Sequence, residues 1–141
     1  LNEQFHTNVV VEVQMTPLTL SSDIGAGVMC RADASNDGDG YYFMINANGY
    51  YAILIGRGAE IVPLVSWQPS DAIHTGVDHN TVGAVCLGNQ LAMYVNGELV
   101  TQVMDDTYST GVTGLAAAAG SSGVEMTFDN LTLYTISSPG V

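Results

Sequence analysis

The chain is acidic and short. It has 141 residues, with 14 Asp and Glu against two Arg and no Lys, and its formal net charge is −12. Nucleic acid and anionic membrane surfaces both need clustered Lys or Arg, so neither is expected as a partner. Apolar residues make up 47% and charged residues 11% of the sequence, which excludes a chain disordered throughout.

The length suits one domain with a substantial core. We predict that this domain covers residues 1–136 and that 137–141 form a tail or the start of a linker. The sequence shows no initiator Met and no signal peptide, so we expect Leu1 to begin a processed or trimmed chain. No apolar run approaches the ~20 residues that a membrane helix needs, and membrane insertion is not expected.

Short strands separated by turns dominate the sequence, and helix periodicity is almost absent. Residues 50–56 follow 41–47 through Asn48-Gly49, a dipeptide that favours a two-residue hairpin turn. Pro63 predicts that its strand is an edge strand or carries a bulge, and 67–79 is predicted to be irregular. The predicted strands are 8–16, 24–32, 41–47, 50–56, 61–65, 81–87, 91–95, 98–104, 111–119 and 124–136.

The first predicted strand has the clearest alternation. Every second side chain along 8–16 is apolar and points to one face, at Val9, Val11, Val13 and Met15. About ten short strands at even spacing indicate an antiparallel sandwich or barrel.

Several short motifs follow one another along this strand pattern. They include Gly27-Val28-Met29-Cys30-Arg31, Tyr41-Tyr42-Phe43, Asn48-Gly49-Tyr50-Tyr51, Leu64-Val65-Ser66-Trp67, Tyr94-Val95-Asn96-Gly97 and Phe128-Asp129-Asn130. In this order they resemble the bacterial laminin-G-like, concanavalin A-like jelly-roll domains, over residues 8–136. The resemblance implies two curved antiparallel sheets, a bacterial extracellular or cell-surface location, and binding of a glycan or a protein rather than catalysis.

Two further expectations concern the cysteines and the N-terminus. Taken alone, Cys30 and Cys86 are either two buried thiols or one disulfide; the resemblance implies that they pair. The family has a first strand upstream of the stretch matched by 8–16, whereas only 1–7 precede it here. We therefore expect either a trimmed chain or an unfilled sheet position, which would invite strand addition from a neighbour.

Aromatic residues are the main candidates for ligand binding. Tyr41-Tyr42 and Tyr50-Tyr51 lie on the two arms of one hairpin, so one Tyr of each pair points outward. Flat rings desolvate the C–H faces of sugars, and we place the hypothetical glycan site at Tyr42, Tyr51 and Trp67. The alternative interpretation is ordinary packing of these rings.

Oxygen donors alternate at Asp33, Ser35, Asp37 and Asp39. Because Ca²⁺ binds six to eight oxygen ligands, this loop is a candidate calcium site, the alternative being a solvated hairpin tip. No catalytic residues are assigned, since the close spacing of acids found in jelly-roll glucanases is absent around Glu125 and Asp129.

These observations predict an all-β, antiparallel jelly-roll β-sandwich. The leading functional prediction is an extracellular, non-catalytic carbohydrate-binding or adhesion module whose partner is a glycan or a surface protein. The alternative is a structural subunit of an extracellular filament or sheath, self-assembled through strand or edge contacts. A glycoside hydrolase ranks third.

Overall fold

The computed structural model describes residues 2–17, 25–33, 38–58, 60–75, 78–118 and 126–135. Eleven strands are found there, numbered in chain order. They are β1 (Asn2–His6), β2 (Val9–Pro17), β3 (Gly25–Ala32), β4 (Gly40–Asn46), β5 (Tyr50–Arg57), β6 (Glu60–Pro69), β7 (Asn80–Leu87), β8 (Gln90–Val95), β9 (Glu98–Met104), β10 (Gly111–Ala118) and β11 (Met126–Thr135). In this part of the chain no helix is long and apolar enough to cross a membrane.

The strands form two antiparallel sheets. One has six strands in the order β1-β10-β3-β4-β5-β6, and the other has five in the order β11-β2-β7-β8-β9. Consecutive strands such as β3, β4 and β5 are neighbours in the sheet. By contrast, β10 lies between β1 and β3, and β2 lies between β11 and β7, so these neighbours are distant in sequence. The predicted all-β antiparallel sandwich is confirmed.

The core lies between the sheets and follows the alternation of the strands. Val9, Val11 and Val13 of β2 are fully buried in it, as predicted. Phe43 of β4 and Ile53 of β5 belong to the same cluster from the six-stranded sheet. Residues between these positions therefore face outward, and they form the two outer faces of the sandwich.

The start of the chain differs from the prediction. Asn2–His6 form β1, which pairs with β10 from Asn2 opposite Thr113 to His6 opposite Gly111. The expectation of a missing first strand is therefore wrong, because β1 occupies the sheet position beside β10. Pairing at a sheet edge uses backbone groups and needs no apolar alternation, so the sequence NEQFH gave little signal for a strand.

Strand β6 is longer than predicted. It continues past residue 65 to Pro69, so Trp67 lies in a strand and the prediction of an irregular segment from 67 is wrong there. β6 is at the edge of its sheet and its register against β5 shifts twice, which confirms the prediction that Pro63 marks an edge or a bulge. An edge position tolerates prolines because one side of the strand has no ladder partner.

A disulfide joins the two sheets through the core. Cys30 of β3 bonds to Cys86 of β7, and both side chains are fully buried. The bond spans 56 positions in sequence. The pairing implied by the family resemblance is confirmed.

Arg31 ties three turns together at one end of the sandwich. Its side chain is only 2% exposed, and its guanidinium donates to the carbonyls of Thr7, Gly88 and Tyr108 at 2.6–3.1 Å. Backbone carbonyls thus satisfy a buried cation in place of a carboxylate. Arg31 is a structural residue here, because its side-chain donors bind the backbone of three separate segments.

Tyr41 anchors the segment between β9 and β10 at the same end. Its fully buried ring places the hydroxyl group 2.5 Å from Oδ1 of Asp105, to which it donates, and it accepts from the Tyr108 N–H. Burial, followed by the hydrogen bond to Asp105, raises the pKa of Tyr41 to about 12. The neutral phenol is therefore part of the folded state.

Replacing both cysteines tests how much the disulfide stabilises the fold. The variant Cys30→Ala/Cys86→Ala should lose roughly 4 kcal/mol of unfolding free energy, because the bond no longer limits the entropy of the unfolded chain. Urea unfolding followed by circular dichroism measures this loss. Dithiothreitol should destabilise the wild type and leave the stability of the variant unchanged. Equal urea midpoints for the variant and the wild type without dithiothreitol would contradict the assignment of the disulfide.

Tyr41 should give the protein an alkaline stability limit. The folded-state pKa is about 12 and the ordinary value is 10.0, so the stabilisation is complete below pH 10 and decreases as the pH rises towards 12. At pH 8 the unfolding free energy of Tyr41→Phe should be lower than that of the wild type. Between pH 10 and about pH 12 it should fall less steeply with pH than that of the wild type. Tyr134→Phe, at an exposed position, is the control and should follow the wild type; equal slopes for Tyr41→Phe and wild type would refute the prediction.

Candidate functional site

A row of apolar side chains crosses the outer face of the six-stranded sheet. Met29, Tyr42 and Leu54 are direct neighbours on β3, β4 and β5. Each lies between two residues of the buried core, so each faces away from it. Pro63 continues the row on β6.

Trp67 lies over this outer face. Its neighbour Gln68 pairs with Tyr51, which points into the core, so Trp67 points outward. The far edge of its indole, Cη2, stands 3.0 Å from the position that a Cβ on Gly25 would occupy. A side chain at residue 25 would therefore press on the indole and make the ring shift.

This contact shows that the six-stranded sheet is curled. Gly25 is on β3 and Trp67 is on β6, three strand spacings or about 14 Å apart in a flat sheet. That separation exceeds the length of a tryptophan side chain, so the outer face must be concave. Met44 and Ala52 also face outward, yet they are only 3% and 0% exposed.

The opposite end of the face is closed by backbone. A Cβ on Gly56 would stand 1.6 Å from the carbonyl oxygen of Gly38, so only a glycine allows the segment before β4 to lie on β5. The Tyr42 hydroxyl donates to this same carbonyl at 2.6 Å and holds the segment in place. Asp39 accepts from the Gly58 N–H at 2.6 Å and fixes the segment to the β5–β6 turn.

The same outer face carries a groove of about 300 Å³, which we call the outer groove. None of its lining side chains carries a charge, and the Tyr42 phenol is its one polar side chain. Burial, and then the negative charge of Asp39, raise the pKa of Tyr42, so the phenol is neutral at physiological pH. The outer groove is lined by Met29, Tyr42, Met44, Leu54, Ile61, Leu115 and Ala116.

Of the three aromatic candidates for glycan binding, two lie on the outer face and one lies in the core. Tyr42 lines the outer groove and Trp67 lies over the same face. Tyr51 pairs with Ile45 and is buried in the core at 7% exposure, so the placement of Tyr51 on a ligand-binding surface is wrong. Tyr50 is the outward residue of that pair, at 39% exposure.

The candidate calcium loop is described only at its base. The Asp33 N–H donates to the Asp39 carbonyl at 3.0 Å, which closes the base of the loop, while Ser35 and Asp37 lie outside the described residues. Among the residues that the structure does describe, no group of three or more His, Cys, Asp or Glu is placed to hold a metal ion. The calcium site stays a prediction.

Of the second pair of acids, Asp129 lies on the five-stranded sheet. Asp129 is exposed on β11, where its carboxylate accepts from the Asn130 N–H at 2.9 Å, and Glu125 lies outside the described residues. Asp129 belongs to the five-stranded sheet and does not contribute to the outer groove.

Sequence reasoning missed the residues that shape the outer groove. Met29, Met44 and Leu54 were visible as strand residues, but their outward direction depends on the cross-strand register. The roles of Gly25 and Gly56 depend on contacts between distant strands. The alternation of Tyr41 and Tyr42 was the one local signal that pointed to this face.

No protein-family model and no curated protein matches the chain. Among solved structures, a carbohydrate-binding module, CBM66, from Bacillus subtilis is similar with a TM-score of 0.79 and 16% identity, over 94% of this chain and 78% of that one. Galectin LEC-6 of Caenorhabditis elegans has a TM-score of 0.63 and 13% identity, over 95% and 91% of the two chains. Alginate lyase A1-II′ has a TM-score of 0.61 and 12% identity, over 96% and 65%. These similarities show a concanavalin A-like β-sandwich; the narrower laminin-G-like family stays a prediction.

The contact of Trp67 with Gly25 can be tested with the only tryptophan of the chain. Gly25→Val adds methyl groups where the indole lies, so the ring should be displaced towards water. We expect emission at longer wavelength and stronger acrylamide quenching. Gly83→Ala is the control, because its Cβ would meet only ordinary contacts at 3.7–3.8 Å. Unchanged emission in Gly25→Val would contradict the curled sheet.

Proposed function

We propose that this chain is an extracellular, non-catalytic carbohydrate-binding module that holds a neutral glycan in the outer groove. The observation that carries the proposal is the presence of Tyr42 and Trp67 on one concave face. Aromatic rings on a concave surface contact the C–H faces of a sugar and exclude water from them. The similarity to CBM66 and to galectins supports this proposal at the level of the fold.

Charge favours a neutral ligand. The chain carries a net charge of −12, and Arg31, one of its two arginines, is bound to backbone carbonyls. An acidic polysaccharide would be repelled by this charge and would find no cation among the side chains that line the outer groove.

The outer groove is also unsuited to hydrolysis. Glycosidases place two carboxyl groups on either side of the scissile bond, and no Asp or Glu is among the lining residues. Catalysis is therefore not part of the proposal, although alginate lyase shares the fold. One argument for the alternative function, a structural subunit of a filament, no longer holds, because β1 occupies the sheet position where strand addition from a neighbour was expected.

The buried disulfide supports the extracellular location. A bond of this kind persists in oxidising compartments and is rare in the cytosol. Calcium at Asp33, Ser35, Asp37 and Asp39 remains a proposal, and EDTA in the binding experiment tests it.

A glycan array probed with the wild type and with variants of the concave face tests the function. Tyr42→Ala and Trp67→Ala should each weaken binding about tenfold or more, because a stacked ring contributes on the order of 1–3 kcal/mol. Tyr94→Ala, an exposed position on the five-stranded sheet, is the matched control and should bind like the wild type. Absence of binding to every glycan, with and without EDTA, would refute the function.

A further inference from the structure

The floor of the outer groove offers carbon and sulfur rather than hydrogen-bonding groups. Met29, Met44 and Leu54 present thioether and methyl groups, and Ile61 extends this surface on β6. The proton of the Tyr42 hydroxyl is donated to the Gly38 carbonyl. The Tyr42 oxygen can still accept a hydrogen bond, but a sugar hydroxyl pressed onto Met29, Met44 or Leu54 would lose its water and find no donor or acceptor in exchange.

The dimensions favour a compact occupant. The outer groove has a volume of about 300 Å³. The volume is at the small end of the roughly 300–1,000 Å³ typical of small-molecule sites and suits one sugar residue.

We propose, as an inference that rests on the proposed function, that the outer groove selects neutral sugars carrying a methyl or acetyl substituent. Sugars of this class are 6-deoxy, O-methylated or acetylated. The substituent lies on the floor formed by Met29, Met44 and Leu54, and the ring hydroxyls face the solvent. Methionine side chains adapt to irregular apolar shapes, which fits substituents of different position and size.

Matched sugars that differ at one position test this selection. The probes are the free sugars glucose, galactose and mannose, each beside its 6-deoxy counterpart, together with N-acetylglucosamine. Saturation-transfer NMR with competition titrations measures weak affinities in solution. In at least one pair the 6-deoxy sugar should bind about tenfold or more tightly, because its partner buries an unpaired hydroxyl group.

A floor variant shows whether the selection arises in the outer groove. Leu54→Asn replaces the central apolar side chain by a polar one with the same branched shape. It should weaken binding of the preferred sugar about tenfold and reduce the ratio of the two affinities within its pair. Leu99→Asn makes the same change at an exposed site of the five-stranded sheet and should leave both affinities unchanged. Thermal unfolding of each variant shows that the fold is retained.

The outcomes separate this inference from the proposed function. If unsubstituted sugars bind as tightly as their 6-deoxy and acetylated counterparts in every pair, the selection is refuted while carbohydrate binding stands. If no sugar binds in solution or on the array, both are refuted. If n-hexanol displaces a bound sugar in the saturation-transfer competition at a lower concentration than any competing sugar does, the occupant is an aliphatic group and the inference is wrong.

Discussion

The curvature of the six-stranded sheet is the constraint on which the candidate site depends. A tryptophan on the edge strand β6 reaches a glycine on β3, and this contact is possible only when the outer face bends inward. The bend changes a flat apolar surface into a groove, and the Trp67 ring lies over the same face. Core packing and the Cys30–Cys86 bond hold the second sheet behind this face.

Polar interactions are concentrated away from the outer groove. Arg31, Tyr41 and Asp105 bind the turns and the β9–β10 segment at one end of the sandwich, mostly through backbone carbonyls and N–H groups. The side chains of Arg31, Tyr41 and Asp105 therefore stabilise the fold through these hydrogen bonds. The outer groove is lined by one phenol and a set of apolar side chains, so its recognition of a ligand relies on shape and C–H contact more than on charge.

Much of the fold could be predicted because alternation is a local property. The buried face of Val9, Val11 and Val13 follows directly from the sequence. The choice between Tyr50 and Tyr51 does not, because the inward residue is set by pairing of Tyr51 with Ile45 across the hairpin. The positions of Trp67 and β1 were missed for a related reason. The position of Trp67 depends on β6 continuing past Pro63. The formation of β1 depends on backbone pairing with β10, which is more than a hundred residues away in sequence.

Methyl-resolved NMR tests the central claim most directly, since the methyl groups of Met29, Met44, Leu54 and Ile61 all line the outer groove. On addition of a glycan that the protein binds, the largest shift changes should fall on these methyl groups and on the Trp67 indole. Changes concentrated instead on Val10, Val85 and Ala92, a row on the outer face of the five-stranded sheet, would contradict the account.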